Sequence, residues 1–363
     1  MVTQDDLLLL LEQRTEINGR FANFRRLSNG GAGNFSVLVS ADDSRTNDRV
    51  AVKVCLPQSD RYRVECFERE AHLLEVLTGQ SDIIQLIAPR STFTEMLATQ
   101  GGLQLPWEFH YYAVELAHGD VGDVIASGNW LPERMLLAFR TLCRAVQRIH
   151  SQRIAHRDLK PSNILVMPNG QVKLSDFGTA RRIDSVTPAL VGAYTAPPGD
   201  RRYCAPEMLG CLHDENPEIA FTSDFFSLGA ILFEMFSGTM LGLRLFNPQF
   251  WADIAQAMLA IRIGQRRTTY DQVVSSIANS RPLPSVSAFG APVPPSIRDR
   301  VNDLYRSLSS IDYRVRLCDF DRIFQKINIC LLILRNERAY QRWIEQKRTR
   351  RAAALLRTSG VRS

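Results

Sequence analysis

Lysine is scarce in this 363-residue chain: of 44 basic side chains only Lys53, Lys160, Lys173, Lys326 and Lys347 are Lys, and the rest are Arg. Arg is a rigid planar fork and Lys a compact, mobile ammonium, so the few retained Lys residues, Lys53, Lys160 and Lys173 above all, are worth locating. Long apolar runs are missing too. None approaches the ~18 residues that read as a membrane span. The short apolar stretch at residues 7–11 follows Asp5 and Asp6, the wrong sign for a secretory leader. The seven cysteines (Cys55, Cys66, Cys143, Cys204, Cys211, Cys318 and Cys330) are scattered, odd in number and without a CxxC pair. That excludes a disulfide scaffold, argues against a zinc site, and fits reduced thiols in a reducing, cytoplasmic compartment. No internal repeat is present, so a solenoid is excluded.

What remains is ordinary globular composition, 45% hydrophobic and 23% charged. The length suits two or three packing units and a core that needs no covalent staples. The net charge of +6 is placed unevenly: residues 335–363 hold nine Lys or Arg and two Glu, or +7, which leaves the remainder at −1. Residues 1–20 read as a helical extension with one apolar face. Residues 21–117 read as a small β-rich unit: 35–39 and 50–54 are strand-like around a turn at 42–48, and 110–116 is a buried strand after a Gly101–Gly102 hairpin. Between them, Cys66, Phe67, Glu70, Leu73, Leu74 and Leu77 recur at helical spacing. Residues 118–334 are mostly helical, with an amphipathic helix at 134–149, an all-round apolar one at 225–236, an exposed Pro- and Ser-rich loop at 281–295 and helical periodicity over 301–334. Residues 335–363 form a basic helical tail. It reads as a solvated helix end, as a docking surface for an acidic protein or nucleic acid, or as a membrane-surface contact.

The most specific segment is His156, Arg157, Asp158, Leu159, Lys160, Pro161, Ser162 and Asn163. Asp176, Phe177 and Gly178 follow a short strand-like run, and Ala205, Pro206 and Glu207 come after them. Upstream lie Gly31, Gly33, Ser36 and Leu38, then Val50, Ala51, Val52 and Lys53. With these motifs in this order, the sequence resembles the eukaryotic-type Ser/Thr protein kinases over about residues 24–325. The resemblance implies an α+β, two-lobed fold and transfer of the γ-phosphoryl group of Mg-ATP, with Mn2+ also able to serve, to a Ser or Thr hydroxyl of a protein substrate.

On that resemblance Asp158 is the catalytic base, Lys160 contacts the γ-phosphate, and Asn163 and Asp176 hold the metal. Lys53 contacts the α- and β-phosphates, and Glu70 is its partner in preference to Glu65, Glu68 and Glu75, because Leu73, Leu74 and Leu77 then face inward. Gly31, Gly33 and Ser36 cradle phosphate, glycine letting backbone amides approach closely. Leu38, Ala51 and Leu165 enclose the adenine, Glu115 and Ala117 meet it through their backbone, and Val114 guards the space behind. Asp120 is either a ribose ligand or a helix N-cap. Asp224 either anchors the 156–163 loop or caps the helix it opens, and Arg316 pairs with Glu207. Ser185, Thr187, Tyr194 and Thr195 are sites for autophosphorylation read by Arg157.

Five positions depart from the family: Ser36 stands where a third glycine is usual and Leu38 where Val is. Asp200 stands where Thr is usual and could accept a bond from Lys160, Phe226 stands for Trp, and Tyr313 for Pro. Ser36 and Asp200 keep open a non-catalytic, nucleotide-binding scaffold, and a small-molecule phosphotransferase on the same fold is the other alternative.

Overall fold

The computed structural model describes residues 2–27, 36–98, 102–183, 199–210, 212, 216, 218–245, 248–290 and 292–359, without some side chains in 248–255 and from 340 onward. The chain begins with α1 (Gln4–Gln13), β1 (Glu16–Ile17), β2 (Phe21–Arg26), β3 (Ser36–Asp43), β4 (Arg49–Cys55), α2 (Arg61–Val76), β5 (Leu86–Ala98) and β6 (Gln104–Glu115). Next come β7 (Gly119–Asp120), α3 (Val121–Ser127), α4 (Pro132–Ser151), β8 (Ile154–Ala155), β9 (Ile164–Val166), β10 (Val172–Leu174), β11 (Arg181–Arg182) and α5 (Pro206–Leu209). The last elements are α6 (Ile219–Ser237), α7 (Leu241–Leu245), α8 (Pro248–Ala260), α9 (Arg266–Ser280), α10 (Pro295–Leu308) and α11 (Phe320–Ser359). The architecture is α+β in two lobes, a six-stranded antiparallel sheet followed by a larger helical body.

The sheet runs in the order β1-β2-β3-β4-β6-β5. Side chains alternate between its faces. Val50, Val52 and Val54 of β4 join Tyr111 and Ala113 of β6 in an outer core with Leu7, Leu8 and Leu11 of α1. Ala51 and Cys55, with Tyr112 and Val114, lie in the other core, which continues through α2 into the large lobe. Both faces of the sheet are therefore covered, which is why β4 carries apolar residues on both faces, Val50, Val52 and Val54 on one and Ala51 and Cys55 on the other. The expected helix over residues 1–20 stops at Gln13. Asn18 and Gly19, at φ 52° and 65°, turn the chain so that Ile17 pairs with Phe21. Asn-Gly is a strong short-range hairpin signal.

Asp82 joins the lobes. Its buried carboxylate takes two bonds from Arg144 of α4, at 2.7 and 2.8 Å, with Arg148 at 3.5 Å. Its backbone carbonyl accepts from Leu174 N at 2.9 Å, and Leu174 O accepts from Ile84 N at 2.9 Å.

In the large lobe α6 is buried on every side. Among the described residues it is the one helix long and apolar enough to cross a membrane, yet 89% of that apolar window is buried within the fold. Gly229 lets it approach α10 closely: a Cβ there would collide with Ser309 and Leu308. The periodicity read over 301–334 divides into α10 and α11, with a 3-10 turn at Tyr313–Val315 between them. The 281–295 loop is pinned by buried Val286 and Val293. The junction expected at 334/335 falls inside α11, which runs unbroken to Ser359.

Arg316 and Glu207 pair with both side chains at 0% exposure. The guanidinium also donates to Ser310 O (2.8 and 3.1 Å) and Thr222 O (2.8 Å), and lies 5.3 Å over the Phe226 ring. A buried pair so fully bonded is tolerated; one partner alone is not. Arg316→Met, which strands the Glu207 carboxylate, is expected to cost about 3–5 kcal/mol in urea unfolding.

Candidate functional site

Lys53 lies in the middle of β4, opposite Leu38 of β3 and Tyr112 of β6, on the sheet face that meets α2. Its Nζ is 2.6 Å from Glu70 Oε2. The rival glutamates are engaged elsewhere or out of reach: Glu65 pairs with Arg61, Glu68 with Arg90, and Glu75 is exposed. Burial works against the Lys53 charge, but Glu70 and Asp176 outweigh it and raise the pKa of the ammonium. Burial pushes the Glu70 carboxyl up and the neighbouring Asp176 adds to this, against the pull of Lys53. Beside Glu70, Arg69 donates to the carbonyl of Gly178 at 2.9 Å and so ties α2 to the segment after β10.

The 156–163 loop hangs from α6. Asp224 accepts from the amides of His156 (2.8 Å) and Arg157 (2.9 Å), and its Oδ2 is 2.8 Å from His150 Nε2. Asp224 lies inside α6, which starts at Ile219 and not at residue 225, so the N-cap alternative falls and the anchor remains. The anchored loop carries Arg157 at φ 68°, and its guanidinium Nε donates to Thr179 O at 2.7 Å.

Asp158 is gripped at both oxygens. Oδ1 accepts the Asp200 amide at 2.7 Å and Oδ2 accepts Lys160 Nζ at 2.8 Å. Asn163 donates Nδ2 to the Asp158 carbonyl at 2.8 Å, which commits its nitrogen end and keeps its oxygen end for a hard cation. Asp176 sits in a left-handed conformation at φ 61°. Burial opposes its ionisation, but Lys53, Lys160 and His156 outweigh burial and hold its carboxyl below the usual range. Two hard-oxygen donors, one of them firmly ionised, fit a magnesium-like ion.

Asp200 does not reach for Lys160. Its carboxylate is held by the backbone amide of Arg202 (2.9 Å) and by the Arg202 guanidinium, with Nε at 2.9 Å. Two residues of spacing let Arg202 close this ring locally, while the Asp200 main-chain amide orients Asp158. Gly199 makes the approach possible: at φ +89°, a Cβ would strike the Arg157 carbonyl.

Leu38, Ala51, Val114 and Leu165 fall in one apolar cluster around the inner sheet face. Glu115 ends β6, and its carboxylate takes Lys173 Nζ at 2.6 and 2.8 Å, so Lys173 is an ion-pair partner there. Ala117 packs against the same core, and the next amide, His118 N, binds Val166 O at 2.8 Å. Asp120 caps α3 by accepting from Asp123 N at 3.0 Å. Ser36 is buried at the start of β3, opposite Cys55. Gly31, Gly33, Ser185, Thr187, Tyr194 and Thr195 lie outside the described residues. Arg69, Arg144 and Arg202 gave no signal in a sequence so rich in Arg.

A family model described as protein kinase domain matches residues 24–326. The chain is 33% identical over 227 residues to serine/threonine-protein kinase PknA of Mycobacterium tuberculosis, covering 61% of this chain and 48% of that protein. It is 31% identical over 275 residues to mitogen-activated protein kinase HOG1 of Ustilaginoidea virens, covering 76% and 67%. Against the phosphorylase b kinase gamma catalytic chain of Mus musculus it is 30% identical over 231 residues, covering 61% and 50%. The chain thus spans about half the length of the first of these relatives.

Asp224→Asn keeps the size of the anchor but replaces one acceptor oxygen with a donor. It is expected to lower unfolding stability by about 1.5–3 kcal/mol, the range for a bond to a charged group, as read by urea titration.

Proposed function

The chain belongs to the protein kinase family, whose members use ATP and a divalent metal ion, and on that premise we propose that it is a serine/threonine protein kinase acting on protein hydroxyls. The observation that carries this reading is the assembled state of the ionic groups. The Lys53–Glu70 pair is formed, and Asp158 is aimed by Lys160, Asn163 and the Asp200 amide.

In this reading Asp158 takes the proton of the incoming hydroxyl as its oxygen attacks the γ-phosphorus. The bond to the β-γ bridging oxygen breaks and ADP leaves. Lys160, already on Asp158, also faces the transferring group. Lys53 orients the α- and β-phosphates, and Glu70 keeps Lys53 from folding back toward Asp176. Asn163 and Asp176 would hold Mg2+, or Mn2+, which when bound neutralises phosphate charge. Leu38, Ala51 and Leu165 would enclose the adenine, with the backbone of Glu115 and Ala117 at its edge. Asp120, spent on capping α3, contributes to ribose binding less than its sequence position suggested. Arg157 lies beside the segment after Gly178, which suits a reader of a phosphate placed by autophosphorylation. The tail from residue 335 would offer its positive charge to an acidic partner.

Labelled ATP, a divalent metal and a generic basic protein form the assay. Label is expected on Ser or Thr, absent with a chelator, and reduced about 10²- to 10⁴-fold in Asp158→Asn, the span of a general base. Nucleotide binding without any transfer would refute the reading in favour of a scaffold.

A further inference from the structure

Tyr112 has no part in the chemistry above, yet it stands directly across the sheet from Lys53. Cross-strand neighbours present their side chains on the same face, so Tyr112 shares the space between sheet and α2. Its ring packs on Phe67 with centroids 4.8 Å apart, one helical turn before Glu70. The side chain is buried, and among the described residues its hydroxyl has no hydrogen-bond partner of ordinary geometry. Among the described residues Glu70 has one side-chain bond of ordinary geometry, to Lys53. A buried phenol without an acceptor and a buried carboxylate with lone pairs to spare therefore adjoin each other, and burial together with the Glu70 carboxylate pushes the Tyr112 phenol up, so that it keeps its proton.

We propose that Tyr112 is a positioning residue, its hydroxyl donating to Glu70 and holding that carboxylate against Lys53. The ring, fixed by Phe67 on one side and by its strand on the other, sets the distance between sheet and helix, and the hydroxyl supplies the second donor that Glu70 lacks. A phenol suits this place. It is apolar over most of its length, as the core requires, and carries its polar atom at the tip. The groups that face Glu70 are Lys53 from β4, Tyr112 from β6 and Asp176 from the segment after β10, so Tyr112 is the neutral donor among two charged neighbours.

The inference rests on the kinase reading for its kinetic half alone. Tyr112→Phe in the full chain removes one oxygen and keeps the packing on Phe67. The expected result is a lower melting temperature of the nucleotide-free protein, with kcat reduced about fivefold and the KM for the protein acceptor unmoved. In a Glu70→Met background the same change should do nothing further, because a residue that acts through Glu70 loses its effect when Glu70 is gone. A Tyr112→Phe protein that melts at or above the wild type with unchanged kcat would overturn the proposal, since it would make the hydroxyl an uncompensated burial. So would equal losses in both backgrounds. If the wild type transfers no phosphate, the kinase reading falls, while the melting temperatures of the four proteins still decide this inference.

Discussion

Negative charge outnumbers positive charge in the cleft between the lobes, and the surrounding structure is organised around that imbalance. Glu70, Asp158 and Asp176 converge on Lys53 and Lys160. Burying such groups unpaired is prohibitive, so Glu70 bonds Lys53, Asp158 bonds Lys160 and the Asp200 amide, and Asp176 lies in the field of both ammonium groups. Lys53 comes from β4, Glu70 from α2, and Lys160 and Asp158 from a loop held by α6. The relative placement of sheet, helix and loop is thereby set by electrostatics as much as by apolar packing. The cluster stays one charge short of neutrality, a state that favours entry of a cation.

Three of the departures from family pattern are each compensated close by. Asp200 brings a carboxylate near Asp158, and Arg202 neutralises it within two residues while the Asp200 amide bonds Asp158. Phe226 lies beneath the Arg316 guanidinium and gives it an aromatic face. Tyr313 extends its hydroxyl to Asp271 at 2.8 Å, which joins the turn after α10 to α9. These changes alter how the scaffold is held and leave Lys53, Asp158, Asn163 and Asp176 in place.

Much of the site was legible in the sequence because its key groups are close in sequence. Asp158, Lys160 and Asn163 lie on one short loop, and Asp176 directly follows the next strand. The choice of Glu70 followed from helical spacing. The scarcity of Lys was informative, since Lys53, Lys160 and Lys173 all make ion pairs. What stayed hidden depends on long-range meetings or very local geometry. Asp82 and Arg144 are 62 residues apart. Asp224 looked like a helix start because Thr222 and Ser223 before it break the apolar run and hide the first turn of α6. The Asn18–Gly19 hairpin was masked by the apolar face of α1. Tyr112 reads as one more strand aromatic, and only its burial opposite Lys53 sets it apart.

The clamp on Asp82 also makes a fulcrum. It lies just past the C-terminal end of α2, so that end of the helix is fastened to the large lobe while Asp60 at the other end is not part of the clamp. At 1.5 Å per residue, Glu70 is about 10 Å along the lever from Leu77, and Asp60 at the far tip about 25 Å. A displacement at the tip thus reaches Glu70 scaled down to about two-fifths. The gearing favours precision over travel: a force applied at the outer end of α2 has mechanical advantage over the Glu70 carboxylate.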